Sequence, residues 1–408
     1  MKYIISIFFI LQFQFIYSQN IDSSYFYNNL KNVLIELSKD DYEGRLTGHK
    51  SGRKAANFII NHLNTIFKNN NNVRIYTQDF DFKFNKNPHN LSEDGLRKTA
   101  QNILCFIDNK KEETIILGAH YDHLGYGEFG SLYNGSISSI HNGADDNASG
   151  VSLAISLLEL LSISYDNYNF LFIGFDGEEM GLYGSSYFCK NPTEDLDKVK
   201  YMLNFDMVGR LNDNKDLAIN GVGTSQGWLE IIDDKKNNFN LVLSESGIGP
   251  SDHSSFYIKE IPAIHFFTGQ HGDYHKPIDD YNKINYDGLF EILFFVKDIV
   301  NRSFSIKDFD FKETVSEKNN TPNFTVTLGV IPDYLFSGEG MRIDGVSKNK
   351  TADKYGLLKG DIVVKMGEVE VKNMMDYMIA LSKFNKGEST QIDILRSNQI
   401  KKIDITFQ

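Results

Sequence analysis

Cysteine, tryptophan and proline are scarce, with 2, 1 and 7 copies among 408 residues. The two cysteines, Cys105 and Cys189, lack CxxC spacing and read as buried free thiols rather than a structural disulfide. Basic runs are missing as well. Lys and Arg number 42 against 54 Asp and Glu, for a formal charge of −12, and no stretch could track a phosphate backbone, which argues against nucleic-acid binding. Long apolar runs are confined to the first residues. Ile4 to Tyr17 follows an early charge at Lys2, is broken by Gln12 and Gln14, and runs into Ser18-Gln19-Asn20, the form of a secretory signal rather than a membrane anchor. Residues 1–19 are therefore read as a signal peptide, the mature protein as having no membrane span, and its destination as the periplasm or the medium.

What remains is ordinary globular composition, 41% hydrophobic and 24% charged, at a length that suits two domains. Tyr25 to Leu37 and Ser51 to Phe67 carry apolar residues at helical spacing. Between them lies Gly44-Arg45-Leu46-Thr47-Gly48, a glycine-bounded turn that reads as a helix connection. From Val73, apolar strand-like runs (Val73 to Phe82, Asn102 to Asp108, Thr114 to Ala119, Asn169 to Phe175, Met202 to Phe205, Ala263 to Phe267) alternate with helical ones. The helical runs are Ala148 to Leu161, Ser225 to Asp234, Ser251 to Ile258 and Tyr286 to Val300. That alternation predicts an α/β fold, a mixed, mostly parallel sheet flanked by helices, over residues 20–303. Residues 304–321 are polar and read as a linker, and 322–408 switch to short strands with one clear helix.

Five segments place potential metal ligands at strand ends or just after them. They are Gly118-Ala119-His120-Tyr121-Asp122-His123, Gly143-Ala144-Asp145-Asp146-Asn147-Ala148-Ser149-Gly150, Phe175-Asp176-Gly177-Glu178-Glu179, Asn204-Phe205-Asp206-Met207 and Asp273-Tyr274-His275-Lys276-Pro277. Each alone has a bland reading: a hydrogen-bonded histidine, an Asp at a helix N-cap, a solvated Glu pair. Together, in this order, they closely resemble the zinc aminopeptidase family that includes bacterial leucyl aminopeptidases, glutamate carboxypeptidases and glutaminyl cyclases. The resemblance spans Gly44 to Val300 and implies the zinc exopeptidase type of fold.

Carried over position by position, the resemblance implies two Zn²⁺ ions, with His120 and Asp206 on one, Glu179 and His275 on the other, and Asp146 between them. It implies Glu178 as the catalytic base, Asp145 in support, and a cis peptide between Asp146 and Asn147. A nitrogen and carboxylate donor set suits zinc, and a paired site needs a bridging carboxylate. Asp122, two residues past His120, places a carboxylate where it can accept the other imidazole N–H and fix its tautomer. Tyr274 is a candidate donor to a tetrahedral oxyanion. His123 and His271 are expected in cleft or structural roles, and Ser251-Asp252-His253 looks like a cleft motif of the family.

The expected activity is removal of N-terminal residues from peptides, with a glutaminyl cyclase, a carboxypeptidase or a catalytically dead binding protein as alternatives. A complete ligand set with its base argues against the last. Leu328-Gly329-Val330, Gly340 to Val346, Tyr355 to Val363 and the helix around Met374 to Phe384 resemble a bacterial PDZ domain. That resemblance implies a small β-rich module able to hold a peptide C-terminus, with a packed appendage that binds nothing as the even alternative.

Overall fold

A computed structural model describes residues 22–84, 96–232, 238–306, 309–314, 326–333, 336, 338–346, 350–372 and 374–407. The predicted signal 1–19 lies outside them, as does half of the predicted linker, residues 307–308 and 315–321. Eight strands form the large sheet: β1 Val73–Phe84, β2 Leu96–Ile107, β3 Thr114–His120, β4 Asn169–Phe175, β5 Val199–Phe205, β6 Asp216–Asn220, β7 Asn240–Ser244 and β8 Ala263–Phe267. Their order is β1-β2-β4-β3-β5-β8-β6-β7, with β4, β3, β5 and β8 mutually parallel at the centre. The expected α/β class is what the chain adopts. Strands β6 and β7 are additions to the expected set; their five-residue runs carry too little apolar pattern to stand out. The β1–β2 ribbon also extends further than expected, through a mostly polar run paired with the neighbouring strand in which, among the described residues, Ala100 alone joins a small buried cluster.

The apolar runs of the central strands are continuous because both faces are covered. On β4, Phe170 and Phe172 join one core while Leu171, Ile173 and Phe175 join the other; on β5, Tyr201, Leu203 and Phe205 oppose Met202 in the same way. The larger core lies under helices α1 Ser23–Leu37, α2 Lys50–Ile66, α3 Gly150–Ser164, α5 Gln226–Ile231 and α7 Tyr286–Ser303. The smaller lies under α4 Tyr183–Lys190 and α6 His253–Tyr257. Ala144–Ser164 is the one segment among the described residues long and apolar enough to cross a membrane, and most of it is buried inside this fold. Its apolarity reflects a helix enclosed on all sides, from Gly150 through Leu161. Cys105 and Cys189 are free and buried.

The stretch read as a linker begins on the surface of this domain. Phe309 is buried against Tyr201 and Trp228, with ring centroids 4.9 and 4.8 Å away, and Thr314 N–H donates to the Tyr257 hydroxyl at 3.1 Å. Beyond it a separate antiparallel sheet has its own core. Its strands are β9 Val330–Pro332, β10 Met341–Val346, β11 Ile362–Met366, β12 Val369–Glu370, β13 Ser389–Arg396 and β14 Gln399–Thr406, with helices α8 Thr351–Lys354 and α9 Met374–Ser382. The order is β14-β13-β11-β10-β9, and β12 pairs with β11.

Because α3 is the helix around which the larger core closes, Leu158→Ala is expected to lower unfolding free energy by about 2–5 kcal/mol, read from urea denaturation.

Candidate metal centre

The three parallel neighbours β4, β3 and β5 end at one edge of the sheet, and that register gathers the motifs. His120 is the last residue of β3 and pairs with Phe175 of β4, after which the chain turns through Asp176-Gly177 to Glu178 and Glu179. Asp206 directly follows β5, Asp146 lies in the turn before α3, and His275 follows β8 by a loop.

The structure brings all five expected ligands together. His120 Nε2 lies 3.4 Å from Asp146 Oδ1, 3.4 Å from Asp206 Oδ1 and 3.9 Å from Glu178 Oε2. His275 Nε2 lies 3.2 Å from Asp146 Oδ2 and 3.1 Å from Glu179 Oε2. Asp146 thus presents one oxygen to each imidazole, and its peptide bond to Asn147 is cis. His123 stands closer than expected: its Nδ1 is 2.6 Å from Glu179 Oε1, and it forms with Asp146 and Glu179 a second group whose ligand atoms fall within 4.8 Å of one another. The first such group is His120, Asp146 and Asp206.

The donor chemistry fits a cation at these positions. His120 Nδ1–H donates to the Asp122 carbonyl at 3.2 Å, and His275 Nδ1–H donates to the Gly130 carbonyl at 2.8 Å. A carbonyl can only accept, so each neutral ring keeps its lone pair on Nε2, facing carboxylate oxygens. Lone pair against carboxylate is repulsive unless a proton or a metal cation lies between. Burial alone would lower the pKa of His120, but Asp206 and Glu178 outweigh it and raise it well above the usual range; His275 is raised in the same way, chiefly by Glu179. Burial pushes the Glu178 carboxyl well above its ordinary range against the opposing charge of His120, with Asp206 and Asp252 adding to the rise.

Comparison with known proteins gives the same direction. Residues 102–300 match Peptidase family M28. A probable leucine aminopeptidase of Arthroderma otae is 26% identical over 246 residues, 58% of this chain and 60% of that protein. Aminopeptidase YwaD of Bacillus subtilis is 26% identical over 207 residues, 47% of this chain and 42% of that protein. The alignments therefore span less than two thirds of either relative. Among solved structures, a zinc aminopeptidase from Bacillus subtilis superposes with a TM-score of 0.55 at 17% identity, covering 71% of this chain and 98% of its own. A Zn-dependent exopeptidase from Parabacteroides distasonis does so with 0.55 at 17% identity, over 68% and 97%. At such identity the likeness is one of fold, and it is the zinc exopeptidase fold.

Several supports of the site escaped the motif reading. Asp279, four residues past His275, is fully buried and accepts the backbone N–H groups of Asp145 and Asp146 at 3.0 and 3.1 Å. Asp145 in turn accepts from Gly209 N–H at 2.7 Å and pairs with His271 Nε2 at 3.1 Å, so His271 is structural. Ser251 donates to Asp206 Oδ2 at 2.7 Å, which gives the Ser251-Asp252-His253 segment one definite role. The Asp122 carboxylate is the expected acceptor of the His120 N–H, but the Asp122 main-chain carbonyl takes that place at 3.2 Å. The carboxylate is 3.7 Å from that ring, while it accepts the N–H groups of Glu178 at 3.1 Å and Glu179 at 3.4 Å and the hydroxyl of Thr47 at 2.9 Å. Tyr274 stacks on His275, centroids 3.8 Å apart.

Arg45 lies in the turn that read as a mere connection, and it is fully buried. Its guanidinium donates to the carbonyls of Leu37, Tyr121, Asn142 and Gly143, tying the His120 and Asp146 loops to the N-terminal helices. Burial pulls its pKa down to about 10 against the opposing influence of Asp146, Asp122, Asp279 and Glu179. Only the Gly-Arg-x-x-Gly pattern marked it. Arg45→Met leaves those carbonyls unpaired in the interior, and a loss of at least about 3 kcal/mol in unfolding free energy is expected, measured by urea denaturation of the metal-free protein.

Proposed function

We propose that this chain is a metallo-aminopeptidase that uses two zinc ions to remove the first residue of peptides. The observation that carries the reading is the shared Asp146, one oxygen toward each Nε2-presenting imidazole. The proposed ligands are His120 and Asp206 for one ion and Glu179 and His275 for the other, with Asp146 between them and His123 orienting Glu179. When bound, the ions supply Lewis acidity toward the scissile carbonyl and lower the pKa of a nearby water. Glu178, whose backbone is held by Asp122, takes a proton from the attacking water and returns it to the leaving amine as the C–N bond breaks. Tyr274, at the mouth of the same cleft, is proposed to donate to the oxyanion. The reading also takes residues 1–19 as an export signal, 304–321 as a linker and 322–408 as a PDZ-like module whose open edge strand β9 accepts a peptide C-terminus.

The polarity rests on charge. Glu178, Glu179 and Asp206 line the cleft and attract a substrate ammonium. A carboxypeptidase needs a cation for the C-terminal carboxylate, and the candidate Arg210 is engaged by Asp273 at 3.0 Å, a carboxylate that also holds Lys283 at 3.0 Å. The relatives named leucine aminopeptidase and aminopeptidase YwaD support the same polarity. A glutaminyl cyclase, expected to work with one zinc, leaves part of this donor set without a task.

Two results follow. Glu178→Gln should retain close to two zinc ions per chain by elemental analysis while turnover falls by roughly two to four orders of magnitude; loss of zinc in that variant and not in Glu179→Gln reverses the two roles. Acetylating the N-terminus of a peptide substrate should abolish cleavage and amidating its C-terminus should change little, with the opposite pattern marking a carboxypeptidase.

A further inference from the structure

The floor of the cleft lies one rung of the sheet below the proposed ligands. His265, in the middle of β8, is paired in register with Asn204 of β5 on one side and Asn220 of β6 on the other. Asn204 stands two residues before Asp206, so His265 sits about 7 Å deeper along the strands than that carboxylate. Both His265 and Asn220 line the cleft. The imidazole is held flat between two rings: it stacks on His253 with centroids 4.9 Å apart and an interplanar angle of 6°, and on Phe267 at 5.9 Å.

A chain of hydrogen bonds fixes where the proton of that ring lies. The Ser251 hydroxyl donates to Asp206 Oδ2 at 2.7 Å, so its oxygen accepts from Asn204, whose Nδ2 is 2.8 Å away. The same Nδ2 spends its second N–H on His265 Nδ1 at 3.1 Å. His265 Nδ1 is therefore an acceptor, and the neutral ring carries its proton on Nε2. Burial holds the ring's pKa down to about 4 against the pull of Asp206, which keeps it neutral. Nothing among the described residues accepts the Nε2–H, and Nε2 keeps accessible surface at the cleft that the ring lines. A donor in this place repels a substrate ammonium, and the acids above it disfavour a carboxylate, so its partner is an uncharged oxygen. Asn220 beside it can accept the N–H that a carboxamide carries next to its oxygen. The substrate main chain is engaged at the proposed ligands one rung above, and only a long side chain descends to this floor.

We propose that His265 is a specificity-determining residue whose Nε2–H, together with the Asn220 carboxamide, receives the side-chain carboxamide of a glutamine-like first residue in preference to an apolar side chain of the same length. The assignment rests on the aminopeptidase reading and deepens it. An apolar side chain seated there strips the N–H of water and offers no acceptor in return. Glutamine and methionine are near-isosteres, so comparing them separates the hydrogen bond from volume and reach.

The test is kcat/KM for glutaminyl- and methionyl-4-nitroanilide with the zinc-loaded full chain, zinc content being measured on the same samples. The wild type should favour the glutaminyl substrate by about tenfold. His265→Phe keeps a stacked ring and removes the donor, and the ratio should level or invert. His265→Gln, which carries an N–H at the reach of Nε2, should recover part of it. Asn220→Leu, on a strand that carries no proposed ligand, should lower the ratio severalfold, and it decides the matter if His265→Phe loses zinc or fails to fold. A wild-type preference for the methionyl substrate, or a ratio that Asn220→Leu and a zinc-replete His265→Phe leave unaltered, overturns the assignment. A zinc-loaded wild type that cleaves no aminoacyl-4-nitroanilide at all overturns the aminopeptidase reading itself, and the assignment with it.

Discussion

Negative charge concentrated in a poorly hydrated pocket is the condition that the rest of the structure answers. Asp146, Glu178, Glu179 and Asp206 face one cleft at the carboxyl edge of the sheet, and Asp122, Asp145 and Asp279 lie buried just behind it. Two like charges 4 Å apart repel by about 4 kcal/mol even at an effective dielectric of 20. Such a cluster persists only where something positive or proton-bearing is interleaved. The Nδ1–H groups of the two imidazoles are committed to the carbonyls of Asp122 and Gly130, so a proton or metal ion that offsets the acids there sits at Nε2. His120, Asp146 and Asp206, and His123, Asp146 and Glu179, form two groups able to hold such an ion.

A division of labour runs through the acids. Those that face the cleft turn their oxygens to side chains, imidazoles and the Ser251 hydroxyl, while those behind them spend oxygens on backbone amides: Asp279 on the Asp145-Asp146 turn, Asp122 on the Glu178-Glu179 turn, Asp145 on Gly209. Each such bond uses a charge to fix a loop rather than to bind substrate. Arg45 performs the complementary task for carbonyls, and as a buried cation it also offsets part of the acid excess. Glu178 and Glu179 are adjacent in sequence, and their shared turn is fixed from behind by the Asp122 carboxylate, which accepts both backbone N–H groups.

The legible part of the fold was the part with strong periodicity. α1, α2, α3 and α7 carry apolar faces or continuous apolar runs, and β3, β4, β5 and β8 are apolar throughout because helices cover both faces. β6 and β7 were not legible, since five-residue runs are too short to show a period, and the extra length of the β1–β2 ribbon is secured by pairing together with Ala100, buried in a small cluster with Phe80 and Phe82. Phe309 shows the converse. It sits in a polar stretch that reads as a linker, and only contact with Tyr201 and Trp228 gives it a place in the core.

By itself the sequence singled out the residues proposed to carry the chemistry: His120, Asp146, Glu178, Glu179, Asp206 and His275 are marked by identity, by local spacing and by position at strand ends. A ligand motif is a short-range object, written within a few residues of the strand that presents it. Tertiary structure alone decided how those residues are held and aimed. Arg45 reaches carbonyls 97 and 98 residues away, and Asp279 caps a turn 134 residues before it. His123 closes on Glu179 across 56 residues. Contacts at such separations leave no periodic trace in one chain, because they arise where the parallel strands end side by side and the loops above them meet.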